Sequence, residues 1–591
     1  MFRNWEKYAE VFSALDITEQ NHSRVGMVAD AIADAVLIFY GLNMTGASVS
    51  MILNFEMENP ESFARKLRTE GITDLLLFDT FLAPEDLDWI CRERDSLELR
   101  NIILFHDRVS GPFAPPEMQM QSRRNRFIFR RFSGVLFMDD LLERYESTPI
   151  IYGSSPSLDE AVIIHTSGTT NGIHKPVPLS DRALNEAVAR HLRSGLFDEF
   201  EGRTVSVLGM ELSAVYSLAD MMQLPFAFGG EVVTVPMGIF NPYITDAIRK
   251  YRVNSLFCTA QQFEEWIRYQ GEADLSRLKY VSIGGSYVSA DAKKRYETYL
   301  KQCGTDIGIS IGYGLSEAGG GCILAPADRK DDAIGYPLPG VKVKIFDEDE
   351  EKYYDLEDGP RTGVLCLSTG SLSGGKIDDT VYFELDEIDG EKYLNTYDLV
   401  TVNDDGSMTC IGRMNKYFVN NEGIRFDAGL VETATAAQPG IILCGLAPEY
   451  EKMIHDTIPV LYVQTEGSGK EAVQTVRQAL INVFIYDNMI VETNLPGQCV
   501  ISDQIPLTAT GKVDVHRIAK EGAVGKRYKV QPVRNTEGLT DIRLEYVDAS
   551  SDPSTWAGLP DELEDAEYEE EYDIGEGQYD KGEGQYDIGE E

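Results

Sequence analysis

The first 330 residues alternate short apolar runs with segments of helical periodicity. The apolar runs are four to eight residues long and include VGMV, LLLF, NIILF, AVIIH, TVSVL and YVSIGG. This rhythm is typical of repeated βα units and a mostly parallel sheet. It predicts one large α/β domain, with helices over 84–96, 181–193 and 260–269 and a core-facing helix within Val25–Gly41.

The pattern changes twice further along the chain. Between Pro337 and Tyr397 short strands alternate with turns, which predicts a small antiparallel or β-barrel-like subdomain. From Arg413 onward the strand and helix signals begin again, in GIILCGLA, IPVLYVQTE and EAVQTVRQALINVF. We therefore predict an N-terminal domain over 1–412 and a small mobile α+β C-terminal domain over 413–532.

Residues 533–591 are predicted to form an acidic, disordered tail. Its last third repeats the motif YD-x-GEGQ, with Tyr572, Tyr579 and Tyr586 seven residues apart. The repeat has no aliphatic heptad positions, and its glycine and negative charge oppose a coiled coil. The tail is either a solvated appendage or a docking segment for a partner.

Composition narrows the class of partners. The 591 residues include 54 Lys and Arg against 97 Asp and Glu, a formal charge of −43 that repels phosphate backbones. We expect no nucleic-acid partner and no integral membrane segment, and the N-terminus lacks a signal peptide, which favours a cytoplasmic location. The eight cysteines are scattered singly, without metal-ligand spacing, and are expected to be reduced thiols.

The segment AVIIHTSGTTNGIHKPVPLS contains the first candidate functional motif. An apolar strand over 161–164 runs into a loop of Thr, Ser and Gly that ends at Lys175. Backbone N–H groups and hydroxyls in such a loop suit phosphate oxygens, whereas the Walker spacing G-x-x-x-x-G-K-[ST] is absent. The candidate polyphosphate-binding residues are Thr166, Ser167, Gly168, Thr169, Thr170, Gly172 and Lys175.

This segment resembles the signature loop TSGTTGxPKG of the adenylate-forming superfamily, which includes acyl-CoA synthetases, nonribosomal-peptide adenylation domains and luciferases. Residues 166–170 match it, while Asn171 is an extra residue and His174 and Pro176 replace Pro and Gly. Two later segments, VSIGGSYVSAD and GISIGYGLSEAGGG, resemble the loops GGAPLS and YGxTE of the same superfamily.

The resemblance implies an ATP site and a role for each matching residue. Tyr313 would stack on adenine and Ser316 would meet the α-phosphate. Glu317 would share a Mg²⁺ ion with Thr166, a ligand set that suits a hard cation held largely by phosphate and water. The remaining nucleotide-binding residues implied are Gly284, Gly285, Ser286, Gly312 and Gly314.

The stretch from Tyr393 to Glu432 resembles the superfamily motifs TGDL and GRxDxxIKxxGxRI. Asp398 would accept the two ribose hydroxyls and Arg413 would help to hold the ribose. The departures are Tyr397 in place of Gly and Asn415 in place of the hinge Asp.

IPLTATGKVDVHRI resembles the pattern PxTxxGKxxR, with Arg517 displaced by two residues. Lys512 would then be the catalytic lysine, acting with Lys175 and Glu317. A lysine at this place stabilises charge that develops as the carboxylate attacks the α-phosphorus.

The implied reaction converts a carboxylic acid and MgATP into acyl-AMP and then transfers the acyl group to a thiol. CoA is the expected acceptor for a fatty, aromatic or other organic acid. A separate carrier protein, a luciferase-like oxidation and a non-catalytic nucleotide-binding relative remain as alternatives. The acid pocket is predicted to draw on 209–224, 257–263 and 312–320, where Glu211 is either a partner for a cationic substrate group or a helix-surface charge.

Overall fold

A computed structural model describes most of the chain up to residue 547. The described residues are 2–29, 31–52, 57, 59–79, 82–106, 113–153, 160–170, 173–197, 204–236, 241–270, 273–347, 350–377, 380–413, 418–419, 425–426, 428–451, 456–486, 494–507, 513–514, 517–518, 524–535 and 538–547.

The chain begins with a seven-stranded sheet that is covered by helices. Its strands are β1 Arg24–Val28, β2 Ser48–Ile52, β3 Asp74–Phe78, β4 Asn101–Phe105, β5 Leu136–Phe137, β6 Val162–Thr170 and β7 Ile173–Leu179. The helices are α1 Phe2–Ala14, α2 Ala33–Thr45, α3 Pro60–Thr69, α4 Pro84–Arg92, α5 Pro116–Phe129 and α6 Met138–Arg144. The strand order is β5-β4-β3-β1-β2-β6-β7, and β7 is antiparallel to β6.

The strands of this sheet are buried as parallel strands usually are. Every residue of β3 is buried, as expected where helices cover both faces. The predicted helix within Val25–Gly41 is only partly right, because the first residues of that range form β1 and the helix begins at Ala33.

A second seven-stranded sheet continues the large domain. Its strands are β8 Val205–Leu208, β9 Glu231–Thr234, β10 Ser255–Cys258, β11 Tyr280–Gly284, β12 Ser310–Leu315, β13 Gly320–Leu324 and β14 Tyr336–Pro337. Its order is β14-β13-β12-β11-β10-β8-β9; β13 is antiparallel to both of its neighbours, β12 and β14, and the other pairs are parallel. The helices are α7 Asp181–Arg193, α8 Leu224–Ala227, α9 Ile244–Tyr251, α10 Ala260–Gln270 and α11 Ala290–Gln302, with a π-helix at Tyr216–Gln223 and a 3₁₀ turn at Ser316–Ala318.

The predicted small antiparallel subdomain is confirmed. Its strands are β15 Lys342–Asp347, β16 Lys352–Asp355, β17 Arg361–Ser368, β18 Lys376–Ile377, β19 Thr380–Val381, β20 Asp386–Ile388, β21 Glu391–Val402 and β22 Met408–Arg413. The strands β16-β15-β17-β21-β20 lie in this order, and β22 also pairs with β21. This sheet carries Asp398 on β21 directly opposite Arg413 on β22.

The C-terminal part has its own sheet and core. It contains β23 Phe418–Val419, β24 Arg425–Phe426, α12 Ala428–Ala436, β25 Ile441–Glu451, β26 Asp456–Thr465, α13 Lys470–Ile481, β27 Gln498–Ile501, β28 Lys526–Asn535 and β29 Gly538–Tyr546. The sheet order is β25-β26-β27-β28-β29. The paired strands β28 and β29 extend this sheet past residue 532, where the tail was predicted to begin, because alternating apolar residues such as Val530 and Ile542 enter its core.

All eight cysteines are free thiols, and six of them are buried. Within the ranges given above, no helix is both long and apolar enough to cross a membrane.

Candidate functional site

The Thr/Ser/Gly segment is a β-hairpin rather than the predicted loop. Strand β6 continues through Thr170 and β7 begins at Ile173, with an irregularity in pairing between His165 and Thr169. The hydroxyl Oγ1 of Thr166 accepts the backbone N–H of Lys175 at 3.2 Å across the hairpin. Because β7 is an edge strand, it tolerates the two prolines that a central strand would exclude.

Part of the predicted phosphate site lies outside the described residues. Asn171 and Gly172 are among these, and so are the side chains of 167–174. The structure therefore fixes the backbone course of Ser167, Gly168, Thr169 and Thr170 and brings Thr166 and Lys175 together. Their contact with phosphate remains a prediction.

A buried polar group anchors the start of this hairpin. We call it the hairpin-base cluster: Ser50, Lys66, Glu70 and His165. His165 directs Nδ1 to the Met51 carbonyl at 2.9 Å and Nε2 to Glu70 Oε1 at 2.8 Å, and the Ser50 hydroxyl donates to Glu70 Oε2. Burial alone would raise the pKa of Glu70, but the charges of His165 and Lys66 and these hydrogen bonds lower it to about 2. The residue before Thr166 is therefore held by an ionised, fully hydrogen-bonded carboxylate.

The 3₁₀ turn with Ser316 and Glu317 lies beside β6 and β7. Ser373 connects the two parts, because its N–H donates to the Glu317 carbonyl at 2.8 Å and its hydroxyl donates to the Pro178 carbonyl at 2.7 Å. This arrangement places the predicted Mg²⁺ residues Glu317 and Thr166 on adjoining elements.

The chemistry of these donors fits Mg²⁺. A carboxylate and a hydroxyl are hard oxygen ligands, which Mg²⁺ combines with phosphate and water oxygens. Among the described residues no group of three or more His, Cys, Asp or Glu side chains is arranged for a metal ion. Phosphate oxygens would therefore complete the coordination.

The predicted adenine loop follows β11. Gly285 has φ of +75°, a left-handed conformation that favours glycine, and Ser286 Oγ accepts the N–H of Ala260 at 3.3 Å. On the neighbouring strand, a Cβ at Gly314 would lie 2.3 Å from the Gly320 carbonyl oxygen, so only glycine fits there. Because Gly284 at the end of β11 pairs with Gly312 on β12, the loop after β11 and strand β12 form one wall.

Tyr313, Asp398 and Arg413 form a connected group at this wall. The Tyr313 hydroxyl donates to Asp398 Oδ2 at 2.6 Å, and Arg413 Nε lies 3.2 Å from Asp398 Oδ1. Burial and the adjacent Asp398 carboxylate raise the pKa of Tyr313 well above its usual range, so the hydroxyl keeps its proton and donates. The structure therefore unites three residues that the sequence placed in separate motifs.

Tyr397 occupies the position at which the superfamily motif has glycine. Its φ is +55°, in the left-handed region that non-glycine residues seldom adopt. Its N–H donates to Asn395 Oδ1 at 3.0 Å, and the next N–H, from Asp398, donates to Thr396 Oγ1 at 3.1 Å. Because β17 and β21 also shift register at Val364, this bulge turns Asp398 towards Tyr313.

A pocket of about 510 Å³, including its open mouth, extends from this wall into the domain. The three stretches predicted to form it each contribute, through residues such as Tyr216, Phe257 and Tyr313. Glu211 does not line it; the acidic side chain in the lining is Asp220. Sequence reasoning also missed lining residues from α7, the segment after it, β11 and β13: His191, Phe197, Tyr280, Ser282, Gly321, Ile323 and Leu324.

The predicted catalytic lysine lies outside the described residues. Lys512 falls in 508–512, and the residues on either side of this segment pair with each other, through the bridge Leu507–Val513 and the bond from Asp514 N–H to the Pro506 carbonyl. Asn415, at the predicted hinge, is likewise undescribed. Their roles stay predictions.

Comparisons with known proteins identify the family of this chain. The model of the family described as AMP-binding enzyme matches residues 1–375, more than half of the chain. The chain is 24% identical over 403 residues to 4-coumarate–CoA ligase 1 of Oryza sativa subsp. japonica, which covers 65% of this chain and 68% of that protein. It is 24% identical over 379 residues to tyrocidine synthase 3 of Brevibacillus parabrevis, covering 60% of this chain and 5% of that protein's length.

A solved structure extends the similarity to the C-terminal part. The anthranilate CoA ligase AuaEII in complex with anthranoyl-AMP superposes with a TM-score of 0.64 at 17% identity, covering 86% of this chain and 89% of that one. The fold is therefore that of adenylate-forming enzymes. With the family match, the conclusion is that this chain belongs to the AMP-binding enzyme family.

Proposed function

We propose that the protein activates an organic carboxylic acid with ATP and then transfers the acyl group to the thiol of CoA. One observation supports the first step, the activation of the acid with ATP. Tyr313 belongs both to the ribose group and to the pocket, since its hydroxyl bonds Asp398 while the residue lines the cavity. An acid held in the pocket would thus meet a nucleotide held at its mouth.

In the first step, a carboxylate oxygen of the acid attacks the α-phosphorus of ATP. The bond from that phosphorus to the bridging oxygen breaks, and pyrophosphate leaves with the bonding electrons. Asp398 and Tyr313 would orient the nucleoside, and the hairpin of Thr166 and Lys175 would hold the phosphates. Thr166 and Glu317 would hold Mg²⁺, which supplies positive charge beside the phosphate oxygens.

Lys512 would supply the positive charge that the transition state gains. Removing such a group from a site that excludes water typically costs about 10² to 10³ in rate. The lysine lies in the predicted C-terminal domain, so that domain would close over the pocket for this step.

In the second step, the CoA sulfur attacks the acyl carbon, the bond from that carbon to the phosphate oxygen breaks, and AMP leaves. CoA as the acceptor is supported by the two CoA ligases that are similar over most of this chain. A carrier protein is the second candidate, favoured by the similarity to tyrocidine synthase 3.

The test is ATP–pyrophosphate exchange with a panel of aliphatic, aromatic, hydroxy and amino acids, followed by mass spectrometry of products formed with CoA. We expect exchange with one class of acid and its CoA thioester as the product. Lys512→Ala should lower exchange by about 10² to 10³. Lys529→Ala, an exposed lysine of the same domain, is the matched control and should keep the wild-type rate.

The outcomes separate the alternatives. Exchange without a CoA thioester would reject CoA and favour a carrier protein. ATP binding without exchange for any acid would reject the ligase and favour a non-catalytic nucleotide-binding protein.

A further inference from the structure

Three buried polar side chains lie together at one part of the pocket wall, and we call them the pocket-end cluster: Arg190, His191 and Asp220. They are 0%, 6% and 4% exposed. Arg190 and His191 come from α7, and Asp220 comes from the π-helix. His191 and Asp220 line the cavity, whose other walls are mostly apolar. Polar groups this deep in an apolar pocket need partners or carry a large desolvation cost.

Arg190 gives the cluster a fixed positive charge. Its Nη1 donates to Ser371 Oγ at 2.6 Å and its Nη2 donates to the Ala318 carbonyl at 3.2 Å. Its charge acts on the Asp220 carboxylate, and a Cβ at Gly320 would be 3.2 Å from Asp220 Oδ2 and 4.0 Å from Arg190 Nη2. The cluster is therefore neutral when Asp220 is ionised and His191 is uncharged.

The tautomer of His191 follows from its hydrogen bond. Nδ1 lies 3.0 Å from the Ala187 carbonyl oxygen, which can only accept, so Nδ1 carries the ring proton. Burial lowers the pKa of His191, more than the nearby Asp220 raises it. In the neutral ring, Nε2 is then a bare acceptor, and it lies 3.4 Å from Asp220 Oδ1.

Asp220 has unused accepting capacity as well. Its carboxylate accepts the backbone N–H of Gly321, while Oδ2 has no hydrogen-bond partner in the part of the chain that the structure describes. The pocket end thus presents two acceptors, His191 Nε2 and Asp220 Oδ2, and within the described residues no hydrogen bond reaches Asp220 Oδ2. A ligand hydroxyl would satisfy one of these acceptors, and an amino group with two N–H bonds would satisfy both.

We propose that the acid activated by this enzyme carries a neutral hydrogen-bond donor, a hydroxyl or an uncharged amino group, which Asp220 and His191 receive at the end of the pocket. A neutral group is favoured over an ammonium ion because Arg190 already balances the charge of Asp220. The flanking residues Phe197, Tyr216 and Phe257 suit an aromatic frame for that group. This inference rests on the proposed function and names its class of substrate.

The experiment compares matched acids that differ in one substituent. Benzoic and cinnamic acids bearing a hydroxyl, an amino or a methyl group at the same ring position are assayed by ATP–pyrophosphate exchange. A methyl group has nearly the size of the other two but donates no hydrogen bond. At the best ring position we expect the donor to raise kcat/KM by roughly 100-fold or more over methyl, because a site built to bond a donor rejects analogues that lack it.

Two variants test whether the pocket-end cluster is the cause. Asp220→Asn should reduce the preference for the donor about tenfold. Gly321→Ala places a methyl 3.2 Å from His191 Nε2 and 3.5 Å from Asp220 Oδ1 without changing any charge, and it should reduce the preference similarly. Asp74→Asn, a buried carboxylate of the other sheet, controls for lost stability and should keep the wild-type preference.

The results distinguish a failure of the proposed function from a failure of this inference. If no acid supports exchange in the wild-type enzyme, the proposed function fails. If exchange occurs but methyl acids react as well as hydroxy and amino acids, the proposed function stands and this inference is wrong. If the donor preference is unchanged in both Asp220→Asn and Gly321→Ala, another residue receives the donor and this inference is again wrong.

Discussion

The hairpin-base cluster and the pocket-end cluster use the same kinds of side chain in opposite ways. Each combines a buried carboxylate, a histidine and a basic residue. In the first, both nitrogens of His165 face acceptors and both oxygens of Glu70 have partners. In the second, Asp220 Oδ2 has no described partner and His191 Nε2 faces another acceptor.

The difference shows which feature separates a supporting cluster from one prepared for a ligand. Burial and residue type are alike, and only the balance of donors and acceptors differs. A complete hydrogen-bond network stabilises the fold, whereas an incomplete one is costly until a ligand completes it. The four predictions below test this distinction.

The largest effect is expected from Glu70→Gln. Removing one partner from a buried ion pair leaves the other charge uncompensated, which costs about 3 to 5 kcal/mol. Lys66 and His165 would be the groups left behind. Chemical denaturation should show this loss in the free energy of unfolding, and Glu61→Gln on the exposed face of α3 should change it by less than about 0.5 kcal/mol. A loss below about 1 kcal/mol for Glu70→Gln would contradict a network role.

The second prediction concerns pH. The pKa of Glu70 in the folded protein is about 2, below its ordinary value of 4.5. A depressed pKa stabilises the folded state above pH 4.5, and that stability is lost as pH falls from 4.5 towards 2. The shift corresponds to about 3 kcal/mol. The difference in unfolding free energy between wild type and Glu70→Gln should therefore shrink on acidification, and a constant difference would contradict the assignment.

The third prediction concerns Asp398. This carboxylate has Tyr313 and Arg413 as partners in the protein and is also predicted to bind ribose. Asp398→Asn removes a charged acceptor, and hydrogen bonds to charged groups contribute about 1.5 to 3 kcal/mol. We expect the Kd for ATP to rise roughly 10- to 100-fold by calorimetry. Asp404→Asn, in the exposed turn that follows β21, serves as the control and should bind ATP as the wild type does. An unchanged Kd in Asp398→Asn would make this carboxylate purely structural.

The smallest effect is expected from Asp220→Asn, and its pH dependence has the opposite sign. Burial raises the pKa of Asp220, while His191 and Arg190 oppose the rise. A raised pKa means that the wild type loses stability as pH rises from the ordinary value through the folded value, and the amide does not. The variant should thus gain stability relative to wild type over that interval in denaturation experiments. The reverse trend would show that Asp220 is already fully paired.

Local patterns predicted much of the fold. Helix α7 has the predicted limits, since Ser180 caps its start by accepting the N–H of Ala183 and its apolar face is periodic. The parallel strands could be predicted from the sequence. Helices cover both faces of these strands, so each strand is a continuous apolar run. The two motifs around Tyr313 and Asp398 could also be identified in the sequence. The hydrogen bond between these two side chains could not be predicted.

The pocket-end cluster could not be predicted, because it depends on tertiary packing. His191 and Asp220 belong to different helices with strand β8 between them, and in the sequence each resembles an ordinary amphipathic position. The incomplete hydrogen bonding that distinguishes Asp220 exists only after the pocket forms. The hairpin at Thr166 was missed for a related reason, since its strands are stabilised by pairing with each other rather than by apolar alternation.

Tyr397 shows that side chains next to a turn can hold it without glycine. The left-handed turn before Asp398 is held by the side chains of Asn395 and Thr396, and not by the flexibility of the residue that adopts it. With those neighbours in place, the left-handed conformation forms in a residue other than glycine. A motif search that scores only glycine at this position would miss the turn in this chain, because the hydrogen bonds that hold it come from adjacent side chains.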